Sequence, residues 1–257
     1  MDVDPDWWKT LFDEIYLITD SRSVADDEIT RQEITLFSSL IPIQPDDSIL
    51  DLCGGHGRHA LELCRRGCRD CTVLDYSQPL LDIGEQNARD RQYPIRFIQG
   101  DARQTSLPAE TFDHVLILGN SLGYIMEPEA DLKILTESLR LLKPGGWLLL
   151  DIGNGEAART KLAPQAWHEI GDDIVVCRQR EVKGSRICAR EMVLSKAEGL
   201  IRDKTYCIQL YDADELADMA AWAGFVDVSV YSDVSALEKA ADVGCMNHRL
   251  VAVARRP

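Results

Sequence analysis

The sequence predicts an α/β protein: a doubly wound, mostly parallel seven-stranded sheet, with a helical cap at its N-terminus and an inserted antiparallel β-meander. Three observations carry this. From residue 48, short apolar runs alternate with segments of helical periodicity, the pattern of parallel strands covered on both faces. The stretch Ile49-Leu50-Asp51-Leu52-Cys53-Gly54-Gly55-His56-Gly57-Arg58-His59-Ala60 passes from an apolar run through a glycine cluster into a helical pattern: strand, tight turn, helix start. Residues 166–211 then abandon the alternation for strand-like runs joined at Lys183-Gly184-Ser185 and Glu198-Gly199.

In chain order, residues 1–44 read as the cap. Trp7, Trp8, Leu11, Phe12 and Ile15 recur at helical spacing in a first helix ended by Tyr16, and Ile29, Leu36, Phe37 and Leu40 line a second. Residues 45–165 form the core. Its expected strands are Ser48–Leu52, Thr72–Asp75, Ile95–Ile98, Asp113–Leu118 and Trp147–Ile152. The helices between them span Arg58–Arg66, Gln78–Asp90 and Pro128–Leu142, the last stopped by Lys143-Pro144-Gly145-Gly146. The 166–211 insert reads as three strands and lids the core. Residues 212–257 complete the sheet with a helix opened by a capping box, Asp212 with Glu215, and two strands, Val226–Tyr231 and Leu250–Ala254. All of this makes one domain spanning 1–257.

Composition narrows the partners. A formal charge of −15 disfavours nucleic acid, whose binding rests on clustered Lys and Arg. No apolar run reaches the length of a membrane span, and the acidic start, Met1-Asp2-Val3-Asp4, is unlike a secretory signal. The eight cysteines lie mostly in apolar patterns, such as Cys177 and Cys207, and read as free buried thiols of a cytoplasmic protein.

In an open parallel sheet, ligands bind beyond the carboxyl ends of the strands, and here four such ends carry polar residues: Asp51 with its glycine turn, Asp75, Asp101 and Asn120. Asp75 is spaced from the glycine turn as an acid that accepts both hydroxyls of a ribose. Asp101-Ala102 offers a carboxylate to an exocyclic amine and a main-chain N–H to a ring nitrogen. Asp51 is wrong for a pyrophosphate and suits an ammonium. The composite is a site for an adenosine bearing a cationic 5′ group.

These stretches resemble the class I S-adenosylmethionine-dependent methyltransferases over about residues 45–257. Asp51 to His59 looks like the family's glycine loop, Val73-Leu74-Asp75-Tyr76-Ser77 its ribose motif, Gly100-Asp101-Ala102 its adenine motif, and Leu141 to Gly146 its pre-strand turn. The resemblance implies a Rossmann-like fold, S-adenosylmethionine as cofactor with S-adenosylhomocysteine as product, no metal, and a small-molecule acceptor attacking through N or O. It places the cofactor on Asp51, Cys53, Gly54, Gly55, Gly57, Asp75, Tyr76, Asp101, Ala102 and Asn120. The family usually carries Gly where this chain has Cys53, which a negative φ would accommodate. Tyr16, Arg22 or Arg31 of the cap would close over the methionine end. Tyr16, Asn120 and Tyr124 are the candidate catalytic residues, with Trp167, His168 and Tyr211 also expected around the mouth. The fourth strand lacks the Asn/Asp-Pro-Pro-aromatic motif of amide- and base-directed methylases.

Two other functions fit parts of the sequence. Gly55 to Ala60 satisfies GxGxxG/A, the dinucleotide fingerprint of a nicotinamide-dependent oxidoreductase. A non-catalytic cofactor-binding module would keep the same loop and turn nothing over. Cys64, Cys68 and Cys71 have the CxxxCxxC spacing of a cluster-binding loop but fall at the end of the sheet opposite the ligand side. Cys245 with His248 lacks the second pair a zinc site needs.

Overall fold

The computed structural model describes residues 1–20, 26–232 and 244–257. Arg22 and the Cys245 side chain therefore lie outside the described residues. A seven-stranded sheet has the order β10-β11-β5-β4-β1-β2-β3, built from β1 (Ser48–Leu52), β2 (Asp70–Asp75), β3 (Ile95–Gln99), β4 (Phe112–Ile117), β5 (Leu142–Gly153), β10 (Val226–Ser232) and β11 (Arg249–Arg255). Strands β3, β2, β1, β4 and β5 are parallel to one another, and β11 runs against both β5 and β10. Strand order reverses between β1 and β4, the crevice where such sheets take ligands.

Alternation along the strands feeds two cores. Leu50, Leu52, Val115, Ile117, Leu148 and Leu150 face α6 (Ala130–Leu141) and α8 (Ala213–Trp222). Ile49, Val73, Leu116, Leu149 and Val251 face α3 (Asp27–Leu40), α4 (Arg58–Arg65) and α5 (Gln78–Arg91). Both faces are dry, so every core strand reads apolar throughout. The capping box at Asp212 and Glu215 is present.

Several expectations are corrected. The first cap helix is two short ones, α1 (Trp8–Leu11) and α2 (Glu14–Thr19), because the Asp13 carboxylate accepts from the Ile15 and Tyr16 amides and starts a new helix; Tyr16 thus lies inside α2 instead of ending a helix. Leu142 opens β5 instead of ending α6, since it pairs with Phe112 across a bulge before Trp147 takes up the regular register. A helix after β5, α7 (Gly155–Lys161), is capped by Asn154. The meander has four strands, not three: β6 (Gln165–Ile170), β7 (Ile174–Lys183), β8 (Arg186–Ser195) and β9 (Gly199–Gln209), with an extra turn at Gly171. Cys207 is not a free thiol: it stands opposite Cys188 on the neighbouring strand and is disulfide-bonded to it. Cys177 is free and half-buried, and Cys64, Cys68 and Cys71 are buried in the apolar cluster under α3. No described helix is long and apolar enough to cross a membrane.

Candidate active site

The carboxyl ends of β1, β2 and β4 open into one cavity of about 270 Å3, closed over by the cap and the meander. Its base is the glycine loop. Cys53 adopts φ +60°, so the negative φ expected there does not occur; its amide donates to the Leu74 carbonyl at 2.7 Å, which locks the left-handed turn in place. A non-glycine residue there is strained by on the order of 1 kcal/mol or more. Gly54 must be glycine for a different reason: a Cβ would lie 2.6 Å from Asp51 Cγ. Gly57, at φ +71°, caps α4.

Asp51 is buried at the end of β1, behind Gly54, and like Gly57 it does not line the cavity as expected, because the glycine loop covers it; neither carboxylate oxygen reaches a hydrogen-bond partner. Burial pushes its pKa up to about 7, with the nearby Arg58 charge and Ala60 amide pulling the other way. Asp75 accepts from the Gly55 amide through Oδ2 and from the Ser77 amide through Oδ1, both at 2.8 Å, which fixes its carboxylate at the cavity edge. Burial raises its pKa against those two amides. Asp101 lines the cavity but is gripped by its neighbour: Arg103 Nη2 donates to Oδ2 at 2.6 Å and holds the carboxylate below its usual range. Arg103 also lies over the Trp8 ring, which meets Tyr76 edge-on at 4.7 Å. Tyr76, Ala102 and Asn120 complete this side. Asn120 is at φ +67° and its side-chain oxygen accepts from the Gly153 amide at 2.8 Å.

The opposite end is aromatic. Trp7, Phe12, Tyr16, Tyr124 and Tyr206 line it, with Phe12 stacked on Tyr124 at 5.3 Å and Trp7 against Tyr206 at 5.6 Å. Burial raises the Tyr16 pKa far above that of a free phenol, so its hydroxyl is a donor and not a base. Ion pairs fasten this wall. Arg178 of β7 donates to Glu191 of β8 at 2.7 Å and to Asp20 of the cap at 3.2 Å, and Arg202 of β9 pairs with Asp13.

Other expected residues lie elsewhere. Trp167 is 70% exposed on β6, and neither it nor His168 reaches the cavity. Tyr211 donates its hydroxyl to Asp131 at 2.5 Å, behind the wall. Arg31 sits on the outer side of α3, paired with Glu28. In their place stand residues the sequence reading did not assign. Glu33 of α3, fully buried, accepts from Arg58, His59 and Arg249, and Arg249 also donates to Asp151 at 2.9 Å. Arg58 and His59 fall inside the glycine-loop stretch, but their partner Glu33 is some 25 residues upstream and Arg249 lies 216 residues beyond it, so no local pattern links them.

Residues 49–146 match the family model described as a methyltransferase domain. That match spans the glycine loop through the turn before Trp147. Within it the chain is 34% identical over 104 residues to a putative methyltransferase, YqeM, of Bacillus subtilis, covering 40% of this chain and 41% of that protein. It is 35% identical over 107 residues to a glycine/sarcosine N-methyltransferase of Aphanothece halophytica, covering 41% of this chain and 40% of the other. The chain thus spans about two fifths of the length of the curated relatives it matches. The whole fold, beyond the matched segment, superposes on an S-adenosylmethionine-dependent methyltransferase of Clostridium acetobutylicum with a TM-score of 0.75 at 16% identity, covering 94% of this chain and 96% of that one.

Proposed function

We propose that this protein is an S-adenosylmethionine-dependent methyltransferase that methylates a small molecule through a nitrogen or oxygen nucleophile. The observation that carries the proposal is the convergence of the glycine loop (Cys53, Gly54 and Gly55), Asp75 and Asp101-Ala102 on one cavity. The residues present fit the cofactor: Asp51 is a buried carboxylate lacking a hydrogen-bond partner, directly behind Gly54 of the cavity's base, and Asp75 is oriented by two amides to receive a pair of hydroxyls. A pyrophosphate beside the Asp51 carboxylate would be repelled, which weighs against a nicotinamide cofactor.

The bound cofactor supplies an activated methyl group. The protein's part is to hold the acceptor collinear with that methyl in a site cleared of water. Trp7, Phe12, Tyr124 and Tyr206 give the acceptor apolar faces to rest on, and Tyr16, Asn120 and Tyr124 border the place where nucleophile and methyl meet. A neutral amine attacks without a base; a hydroxyl requires one. The Aphanothece relative is, by name, an N-methyltransferase of small amino acids, which supports a small acceptor and a nitrogen nucleophile.

The test is calorimetric titration with S-adenosylhomocysteine. Wild-type protein binds it, and Asp75→Ala weakens binding by about 10- to 100-fold, the worth of charge-assisted hydrogen bonds to a diol. Equal affinity in the two proteins would sink the site as described. Turnover on any amine or hydroxyl acceptor then separates an enzyme from a binding module.

A further inference from the structure

Opposite the glycine loop, the cap and the meander enclose the end of the cavity that the methyltransferase reading leaves for the acceptor. Four arginines line the cavity: Arg58, Arg178, Arg180 and Arg249. Three of them are neutralised within the protein. Arg58 and Arg249 pair with Glu33, and Arg249 also with Asp151; Arg178 pairs with Glu191 at 2.7 Å and with Asp20 at 3.2 Å. Arg180 has no carboxylate partner among the described residues. Its Nη1 donates at 3.1 Å to the carbonyl of Ala163, a neutral acceptor just before β6.

The register of the meander fixes what stands beside Arg180. It is opposite Ala189 on β8, and Ala189 is opposite Tyr206 on β9, so the three form one row across the sheet. Side chains in such a row share a face, and all three line the cavity. Ala189, the smallest, stands between the two long ones. Tyr206 packs against Trp7, and its hydroxyl makes no hydrogen bond among the described residues. Burial pushes its pKa up to about 12, so the hydroxyl keeps its proton and is a donor.

With a formal charge of −15, most of the protein repels anions, and an arginine left without an acid at the acceptor end is the exception. Its planar fork matches the paired oxygens of a carboxylate or a phosphate. Next to this row, Trp7 meets Tyr124 edge-on at 5.4 Å and Phe12 stacks on Tyr124, which gives flat apolar faces suited to a ring. We infer, on the methyltransferase reading, that the acceptor is a ring-bearing acid whose carboxylate or phosphate is bound by Arg180 and the Tyr206 hydroxyl while its ring rests on Trp7, Phe12 and Tyr124. Arg180 then selects acids over neutral molecules of the same shape. It anchors one end of the acceptor and leaves the nucleophile at the other end to meet the methyl.

The experiment is a nuclear magnetic resonance titration of the full chain saturated with S-adenosylhomocysteine, using three probes that share one ring: benzoate, phenyl phosphate and neutral benzamide. Wild-type protein should bind at least one acid about 10-fold or more tightly than benzamide, as for one charge-assisted hydrogen-bonded contact. The tighter of the two acids assigns the anion as carboxylate or phosphate. Arg180→Met should bring both acids to within about twofold of benzamide, and Arg180→Lys should keep part of the preference. Tyr206→Phe should lower the preference by about 3-fold or more and leave benzamide unchanged. A merely structural role would also disturb the cofactor site, whereas S-adenosylhomocysteine affinity should stay within about twofold of wild type in every variant. Wild-type protein that binds no probe, or binds acids and benzamide alike, overturns the inference, as does a preference that survives Arg180→Met. If Tyr206→Phe does not fold, the wild-type and Arg180 comparisons decide. Wild-type protein that does not bind S-adenosylhomocysteine refutes the methyltransferase reading instead, and the same probes on the ligand-free protein then decide the anion site.

Discussion

Asp51 keeps its proton more tightly in the folded protein than in the unfolded chain, because burial lifts its pKa to about 7. The folded state therefore binds more protons than the unfolded one between about pH 4 and 7, and through this group stability falls as pH rises across that window. Above pH 7 the ionised, unpartnered carboxylate costs on the order of 2–4 kcal/mol. Asp51→Asn should accordingly raise the melting temperature of the ligand-free protein at pH 8 while weakening S-adenosylhomocysteine, and wild-type affinity should climb about tenfold from pH 6 to pH 8 as Asp51 ionises. Melting curves and titrations at the two pH values check both. At this scale much of the rim was legible: Asp75, Ala102 and Asn120 line the cavity because strand ends in a parallel sheet share one edge, whereas Asp51 and Gly57 stay behind it. The buried charges were not, since Glu33, Arg58 and Arg249 meet only through the fold. Cys53 was misjudged because a neighbouring carbonyl, Leu74, sets its backbone.

Elements with long, regular patterns were read from the sequence nearly to the residue, among them α4, α5, β1, β3 and β4. The cap and the meander were read less well, and for separate reasons. Asp13 caps a helix where apolar periodicity suggested continuity, and the Gly171 turn divides strands whose residues alternate too weakly to show an end. The disulfide was hidden because facing positions on two strands depend on register, which the hairpin sets. It closes a loop of 19 residues between β8 and β9, strands whose Ile187, Ala189, Tyr206 and Ile208 line the cavity. A cross-link of that span is worth about 3 kcal/mol. Replacing both Cys188 and Cys207 by Ala should lower the melting temperature by roughly 6–12 °C, measured by calorimetry against the oxidised wild type.

For the molecule as a whole, binding and stability are linked through one cavity built from every layer. S-adenosylhomocysteine at a hundred times its Kd should add about 2.7 kcal/mol and raise the melting temperature by roughly 5–10 °C. Asp75→Ala should abolish most of that shift at the same ligand concentration. The doubly wound seven-stranded sheet was foreseeable from alternation, because parallel connections force helices onto both faces, but its strand order and the antiparallel β11 were not read from the sequence.

The cavity's two walls come from separate stretches of chain. The rim proposed to hold the adenosine is drawn from residues 53–102, inside the matched core, whereas the aromatic and ion-paired wall is drawn from residues 7–20 and 178–208. Mutations can accordingly reshape what is accepted on one side without disturbing the loops on the other, so a single scaffold is free to diversify its chemistry by exchanging its lids.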